Sequence, residues 1–299
     1  MSKRVQWALI GAFVVVDLVL VVGAWRHVNA TPDEDPALVS APASADPTGA
    51  PTTAAPTPDS SQLEYDFKAS DAVALSTAND GTVVYGTRGR CGGAAVPVMV
   101  STNGGTDFAA QQTGFTSTLA VKAGPSTITV VGTDGSCDVR QVASTDGGNT
   151  WTQSDDVDLW YPAPDEATEV VSPARSSVPA ESCVVTSVSQ VTDSVARVSC
   201  ADGTFFGSGD EGKTWVELGR LDNVRVSAFL TPGSGVALAR YNGCGANQFS
   251  TDDGGVTWTP GGCITGDPAQ AIAATSNGLT AVVADEVYAS ADGATWTQP

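Results

Sequence analysis

The chain has 299 residues, 41% of them apolar and only 16% charged, and a formal net charge of −19. With 14 Lys and Arg against 33 Asp and Glu there is no basic surface to neutralise phosphates, which excludes nucleic acid as a partner. The low charge and the abundance of Gly, Ser, Thr and Val describe a β-rich, turn-rich protein with enough chain for a large core.

The first 30 residues predict a membrane or export segment. Lys3 and Arg4 precede residues 7–25, an apolar run bounded by Trp7 and Trp25 and interrupted only by Gly11, Asp17 and Gly23. That length spans a bilayer, the positive end stays cytoplasmic, and the two tryptophans fall where interfacial aromatics belong. The run exceeds the ~7–15 apolar residues of a signal peptide, so an uncleaved single-pass anchor is expected. The alternative is secretion after cleavage following Ala30, at the small-residue site Val28-Asn29-Ala30. Residues 31–61 hold seven prolines and no aromatic residue, the composition of an extended, disordered linker. The third region, residues 62–299, carries the strand pattern.

Short apolar or alternating runs at 73–76, 82–87 and 96–100 lead to Ser101-Thr102-Asn103-Gly104-Gly105-Thr106-Asp107-Phe108. Runs at 118–121, 127–132 and 139–143 lead to Ser144-Thr145-Asp146-Gly147-Gly148-Asn149-Thr150-Trp151. Runs at 184–188, 195–199 and 204–206 precede Ser208-Gly209-Asp210-Glu211-Gly212-Lys213-Thr214-Trp215. Runs at 224–230, 235–241 and 247–249 precede Thr251-Asp252-Asp253-Gly254-Gly255-Val256-Thr257-Trp258. The last runs, 271–274, 279–283 and 287–289, precede the shortened Ser290-Ala291-Asp292-Gly293-Ala294-Thr295-Trp296. Measured at their third residues (103, 146, 210, 253, 292), the octads step by 43, 64, 43 and 39 residues. A period of this size signals repeats that bury their apolar faces only against one another.

The octad has a physical logic. Asp or Asn accepts hydrogen bonds from N–H groups just ahead of it, and glycine takes the positive φ that the turn needs. The terminal Trp or Phe buries a large ring under the turn. Asn103, Phe108, Asp146, Trp151, Asp210, Trp215, Asp253, Trp258, Asp292 and Trp296 are therefore read as structural. The five copies resemble the Asp-box (BNR) repeat of sialidases, the sortilin ectodomain and the photosystem II assembly-factor propellers. The resemblance covers about residues 62–299. It implies a β-propeller in which each box joins the third and fourth strands of a blade and faces away from the ligand site. Three strands before each octad and one after it predict five four-stranded blades. Six is the alternative, because the 64-residue step holds about 21 residues more than one repeat. Residues 63–67 are expected to supply the outer strand of the last blade and lock the ring.

All six cysteines fall in the third region, and an even number in an exported domain reads as disulfides. Six cysteines admit fifteen connectivities. Positions relative to the octads favour Cys91–Cys137, Cys183–Cys200 and Cys244–Cys263. No pair has C-x-x-C spacing, and His27 is the only histidine, so neither a zinc site nor a His-dependent triad fits the third region. The sequence implies no metal and no cofactor.

Glycoside hydrolysis by paired carboxylates needs no histidine. The Arg-Ile-Pro motif of sialidases is absent, however, and Arg88 and Arg90 lie beside Cys91 instead. The resemblance is accordingly to a non-catalytic member. The stretch 155–181 is the surplus in the long step, and its Trp160-Tyr161 pair is the candidate contact with a ligand or partner. The alternative for these rings is packing against the propeller. The reading is a monomeric, membrane-anchored extracytoplasmic propeller that binds or scaffolds a cell-envelope protein and is not an enzyme. A module for envelope glycans is the first alternative and a divergent sialidase-like glycosidase the second.

Overall fold

The computed structural model describes residues 73–154 and 156–299. The expected anchor, the linker and the closing segment at 63–67 lie outside the described residues. Among the described residues no helix is long and apolar enough to cross a membrane.

Among the described residues, twenty-two strands make six antiparallel sheets in chain order. The first holds β1 (Val73–Thr77), β2 (Val83–Thr87), β3 (Val98–Ser101) and β4 (Ala109–Gln111), and the second β5 (Ser117–Ala123), β6 (Ile128–Thr133), β7 (Val139–Ser144) and β8 (Thr152–Ser154). The third holds only β9 (Tyr161–Pro162), β10 (Val170–Val171) and β11 (Ser176–Ser177). The fourth holds β12 (Val185–Gln190), β13 (Ala196–Cys200), β14 (Thr204–Ser208) and β15 (Val216–Arg220). The fifth holds β16 (Val224–Phe229), β17 (Gly235–Tyr241), β18 (Cys244–Thr251) and β19 (Thr259–Ile264), and the sixth β20 (Ala269–Thr275), β21 (Gly278–Val283) and β22 (Glu286–Ser290). The first strands of the sheets neighbour one another in a ring, with β1 beside both β5 and β20 and β9 between β5 and β12. The fold is a six-bladed β-propeller.

The expectation of five blades is corrected to six. The extra blade lies inside the 64-residue step, where each strand is two residues long and too short for an alternating pattern to register. It also runs differently. Ser172, just past β10, donates to the Glu211 carbonyl in an octad turn, whereas the β9–β10 connection accepts at Ala167 O from Val185 N, at the start of β12. The innermost strand β9 therefore leads away from the octad face, while β12 runs toward it.

The apolar cores lie between blades, and four of them take an octad ring from the later blade of the pair. Trp151 joins Val84, Val98 and Val100 of the first blade, Trp258 joins Phe205 of the fourth, and Trp296 joins Leu238 and Ala246 of the fifth. Trp215 packs edge-on to Trp160 of the third blade at 6.0 Å. The same relation closes the ring. A side chain added at Gly105, in the first octad, would meet Pro299 and Val287 of the last blade at 3.2 and 3.5 Å. On the same seam Asn277 Nδ2 donates to the Asn79 carbonyl and Ser276 Oγ to Asn79 Oδ1. The outer edge of β22 is met by Thr297, which exchanges both backbone hydrogen bonds with Ala289.

Candidate ligand site in the central channel

The octads share one hydrogen-bond pattern. The first hydroxyl accepts from two backbone N–H groups, as Ser144 Oγ does from Asp146 N at 3.3 Å and Gly148 N at 2.8 Å, and donates to Asp146 Oδ1 at 2.8 Å. Asp146 then accepts Thr150 N on Oδ1 and the Thr150 hydroxyl on Oδ2 at 2.7 Å. Asp210 and Asp253 repeat this with Thr214 and Thr257. Bonding to the charged form holds Asp146 and Asp253 down to about 2, the Thr150 and Thr257 hydroxyls contributing most. Asp210 and Asp292 are lowered by the backbone N–H groups of Thr214 and Thr295 first.

The first octad inverts the polarity. Asn103 Nδ2 donates to Asp107 Oδ2, where in the second, third and fourth octads a threonine hydroxyl donates to an aspartate. Phe108 packs edge-on to Tyr85 at 5.1 Å.

A sixth turn of this kind has no octad spelling. Ser172 Oγ accepts from Ala174 N and Arg175 N, as Ser290 Oγ accepts from Asp292 N and Gly293 N. Its sequence, Ser172-Pro173-Ala174-Arg175-Ser176, lacks the aspartate, the glycine and the aromatic ring. Only the buried serine signals it.

Trp160 and Tyr161 are packing residues of the third blade, with 2% and 8% of their surface exposed. Trp160 Nε1 donates to the Asp193 carbonyl, and Tyr161 sits with Leu119, Val131 and Leu159 against the second blade. From sequence these rings are expected to contact a ligand or partner; in the structure they contact neighbouring blades, because the described residues 156–181 are built into the ring rather than laid over it.

The cysteines form Cys91–Cys137, Cys183–Cys200 and Cys244–Cys263, which places this domain in an oxidising environment. Cys183 and Cys200 are buried. Cys91 and Cys137 are exposed and tie the long β2–β3 loop to the β6–β7 loop of the next blade. These loops lie on the face opposite the octads, where β1 and β5 begin. Among the described residues no three metal-ligating side chains come together.

Inside the ring is a cavity of about 390 Å³, walled by β1, β5, β12, β16, β20 and the residues around β9. Its walls are mainly Val, Ala, Leu and Ser, small enough for six strands to converge. Serine hydroxyls stitch strands of different blades there: Ser76 Oγ accepts Ala123 N at 3.0 Å, and Ser187 and Ser189 accept Ser227 N and Phe229 N at 3.0 and 2.8 Å. The charged lining residues are Arg88, Lys122 and Asp193. Lys122 and Asp193 are exposed at the octad end, in or beside the turns that follow β5 and β12. Arg88 is at the other end, one residue past β2, whose Thr87 pairs with Val73 at the start of β1. It is half-buried, and desolvation alone lowers its guanidinium to about 10.

No family model matches the chain, and no curated protein does. Among solved structures it is similar to YCF48 bound to a D1 peptide, at 15% identity over 78% of this chain and 70% of that one, with a TM-score of 0.31. It is also similar to the SapL1 lectin in complex with α-methyl fucoside (14% identity, 76% and 94% covered, TM-score 0.48). A third likeness is to the GH74 xyloglucanase from Xanthomonas campestris (17% identity, 76% and 38% covered, TM-score 0.32). Likenesses this distant carry no inference about ligand or activity.

Proposed function

We propose that this protein is a non-enzymatic binding propeller of the cell envelope, held at the membrane by residues 7–25 and recognising a partner protein with the face opposite its octads. The observation that carries this reading is the disulfide-pinned β2–β3 loop. Residues 89–95 are exposed throughout, and Cys91–Cys137 fixes them to the neighbouring blade. A long loop held in one conformation by a rigid scaffold presents contacts with little ordering cost on binding. The octad face, by contrast, is committed to its own turns: four aspartates and the asparagine are saturated by hydroxyl and N–H donors within their own octads.

Arg90, exposed in this loop beside the disulfide-bonded Cys91 in an acidic chain, is the residue suited to anchor a partner. The test is in-cell crosslinking of the full chain followed by mass spectrometry, in wild type and in Arg90→Ala. One envelope protein recovered with wild type, and at least several-fold less with the variant, is the expected result. Recovery of no protein, or equal recovery with both, contradicts the reading.

A further inference from the structure

The three disulfides are not equivalent. Cys183–Cys200 is buried and sits beside the Val185–Cys200 pair of the β12–β13 ladder. Cys244–Cys263 joins β18 to β19, which already pair at Asn247 and Cys263. At both, backbone hydrogen bonds hold the two segments together whether or not the sulfurs are joined. Cys91–Cys137 is the exception. It spans two blades at a sequence separation of 46, and both its cysteines are exposed. The β2–β3 loop leaves and rejoins the ring at residues 115–116: Gly89 lies against the Thr116 carbonyl, and Val96 N donates to the Phe115 carbonyl at 2.8 Å. Between those stems residues 90–95 are all exposed, and their one backbone bond is local, from Gly93 N to the Arg90 carbonyl. The β6–β7 turn is likewise closed on itself. Asp134 Oδ1 accepts from Ser136 N and Asp138 N, and the Asp134 carbonyl accepts from Cys137 N. Among the described residues no hydrogen bond or ion pair joins 90–95 to 134–138, so the sulfur bridge is the only bond between them. It also holds Cys137 at a φ of 73°, a conformation that residues with a Cβ resist.

We propose that Cys91–Cys137 is a thiol-exchange site, at which a dithiol reductant opens the bridge and releases the β2–β3 loop. A thiolate of the dithiol attacks one Sγ and expels the other cysteine as a thiolate, which takes up the proton that the attacking thiol gave up. The second thiol of the reductant then attacks the mixed disulfide and frees the first cysteine in the same way. Two electrons pass from the dithiol, which becomes a disulfide, to the bridge, which becomes two thiols. Exposure of both cysteines gives the attacking thiolate access, and Arg90, next to Cys91 in sequence, favours the Cys91 thiolate as leaving group. The freed thiols then part, because nothing else keeps them close. At the other two bridges the paired strands keep the thiols adjacent, at high effective concentration, and favour re-closure. The consequence for binding rests on the role proposed above for this loop: opening the bridge restores the ordering cost that the pinned loop avoids.

The experiment is reduction of the folded full chain with graded dithiothreitol, quenched by alkylation and read by peptide mass spectrometry. Cys91 and Cys137 are expected to be labelled together, at about tenfold less reductant than Cys244 and Cys263 and before any label at Cys183 and Cys200. The chain opened there alone is expected to keep one cooperative melt, at a Tm lower by about 5–10 °C. In the crosslinking described above, Cys91→Ser/Cys137→Ser is expected to recover the partner several-fold less than wild type. Reduction of the three bridges together, reduction of Cys91–Cys137 last, or loss of the cooperative melt on its opening overturns the proposal. Equal partner recovery from the double variant and wild type also overturns it, because the opened loop would then bind as well as the pinned one. Recovery of no partner from wild type counts against the binding role of the loop instead, and the order of labelling still decides whether the bridge is an exchange site.

Discussion

Asp146 and Asp253 show how an exposed carboxylate becomes a structural group. Each accepts one backbone N–H and two hydroxyls, so the charged form is favoured and the folded pKa falls to about 2. The sign of the resulting pH dependence is fixed. The unfolded value is about 3.9, so between about pH 4 and pH 2 the unfolded chain binds more protons than the folded one. The contribution is complete above about pH 4 and is lost as pH falls through the folded value. Wild type is expected to lose Tm over that interval. The double variant Asp146→Asn/Asp253→Asn is expected to start lower at pH 7 and to fall less, so that the two curves converge toward pH 2. Parallel curves would show that these bonds contribute nothing. Asn103 makes the variant realistic, since an amide already holds that turn by accepting Ser101 Oγ and Asp107 N on Oδ1.

At the scale of the element, the difference between the first two blades and the third shows what a sequence displays. Blades whose two inner strands run five to seven residues and that carry a spelled octad are legible, because alternation has room to register and Gly and an aromatic ring mark the turn. The runs expected at 73–76, 82–87 and 127–132 fall on β1, β2 and β6 within a residue or two. In the third blade Val170 and Ser172 are buried, but two-residue strands carry no period, and the turn keeps only its serine. The same blindness makes Trp160 and Tyr161 look available, since an aromatic pair in an apparent loop reads as a contact surface. Their burial carries a different expectation. Trp160→Ala removes a ring that meets Trp215 and fills the seam between the third and fourth blades, and should cost about 3–5 kcal/mol of stability. Equilibrium denaturation checks this, and a loss below about 1 kcal/mol would return Trp160 to the surface.

At the scale of the molecule, the octad is a joint between blades rather than a fastening within one. Each later blade sets its second octad glycine and its ring against the blade before it: Gly148 lies against Val100 and Gln111, Gly255 against Phe205, and Gly105 against the last blade. Six blades joined in this way converge on one channel, and the innermost strands are small-residue strands because they share that axis. A ring of five would leave residues 155–181 as a loop on the outside and would bring different walls around Arg88. The central claim, then, is that this stretch is a blade. Hydrogen–deuterium exchange of the full chain tests it most directly. Peptides covering 170–177 are expected to exchange orders of magnitude more slowly than the exposed loop at 89–95, and to approach the protection of β12. Exchange over 170–177 as fast as at 89–95 would contradict the six-bladed ring.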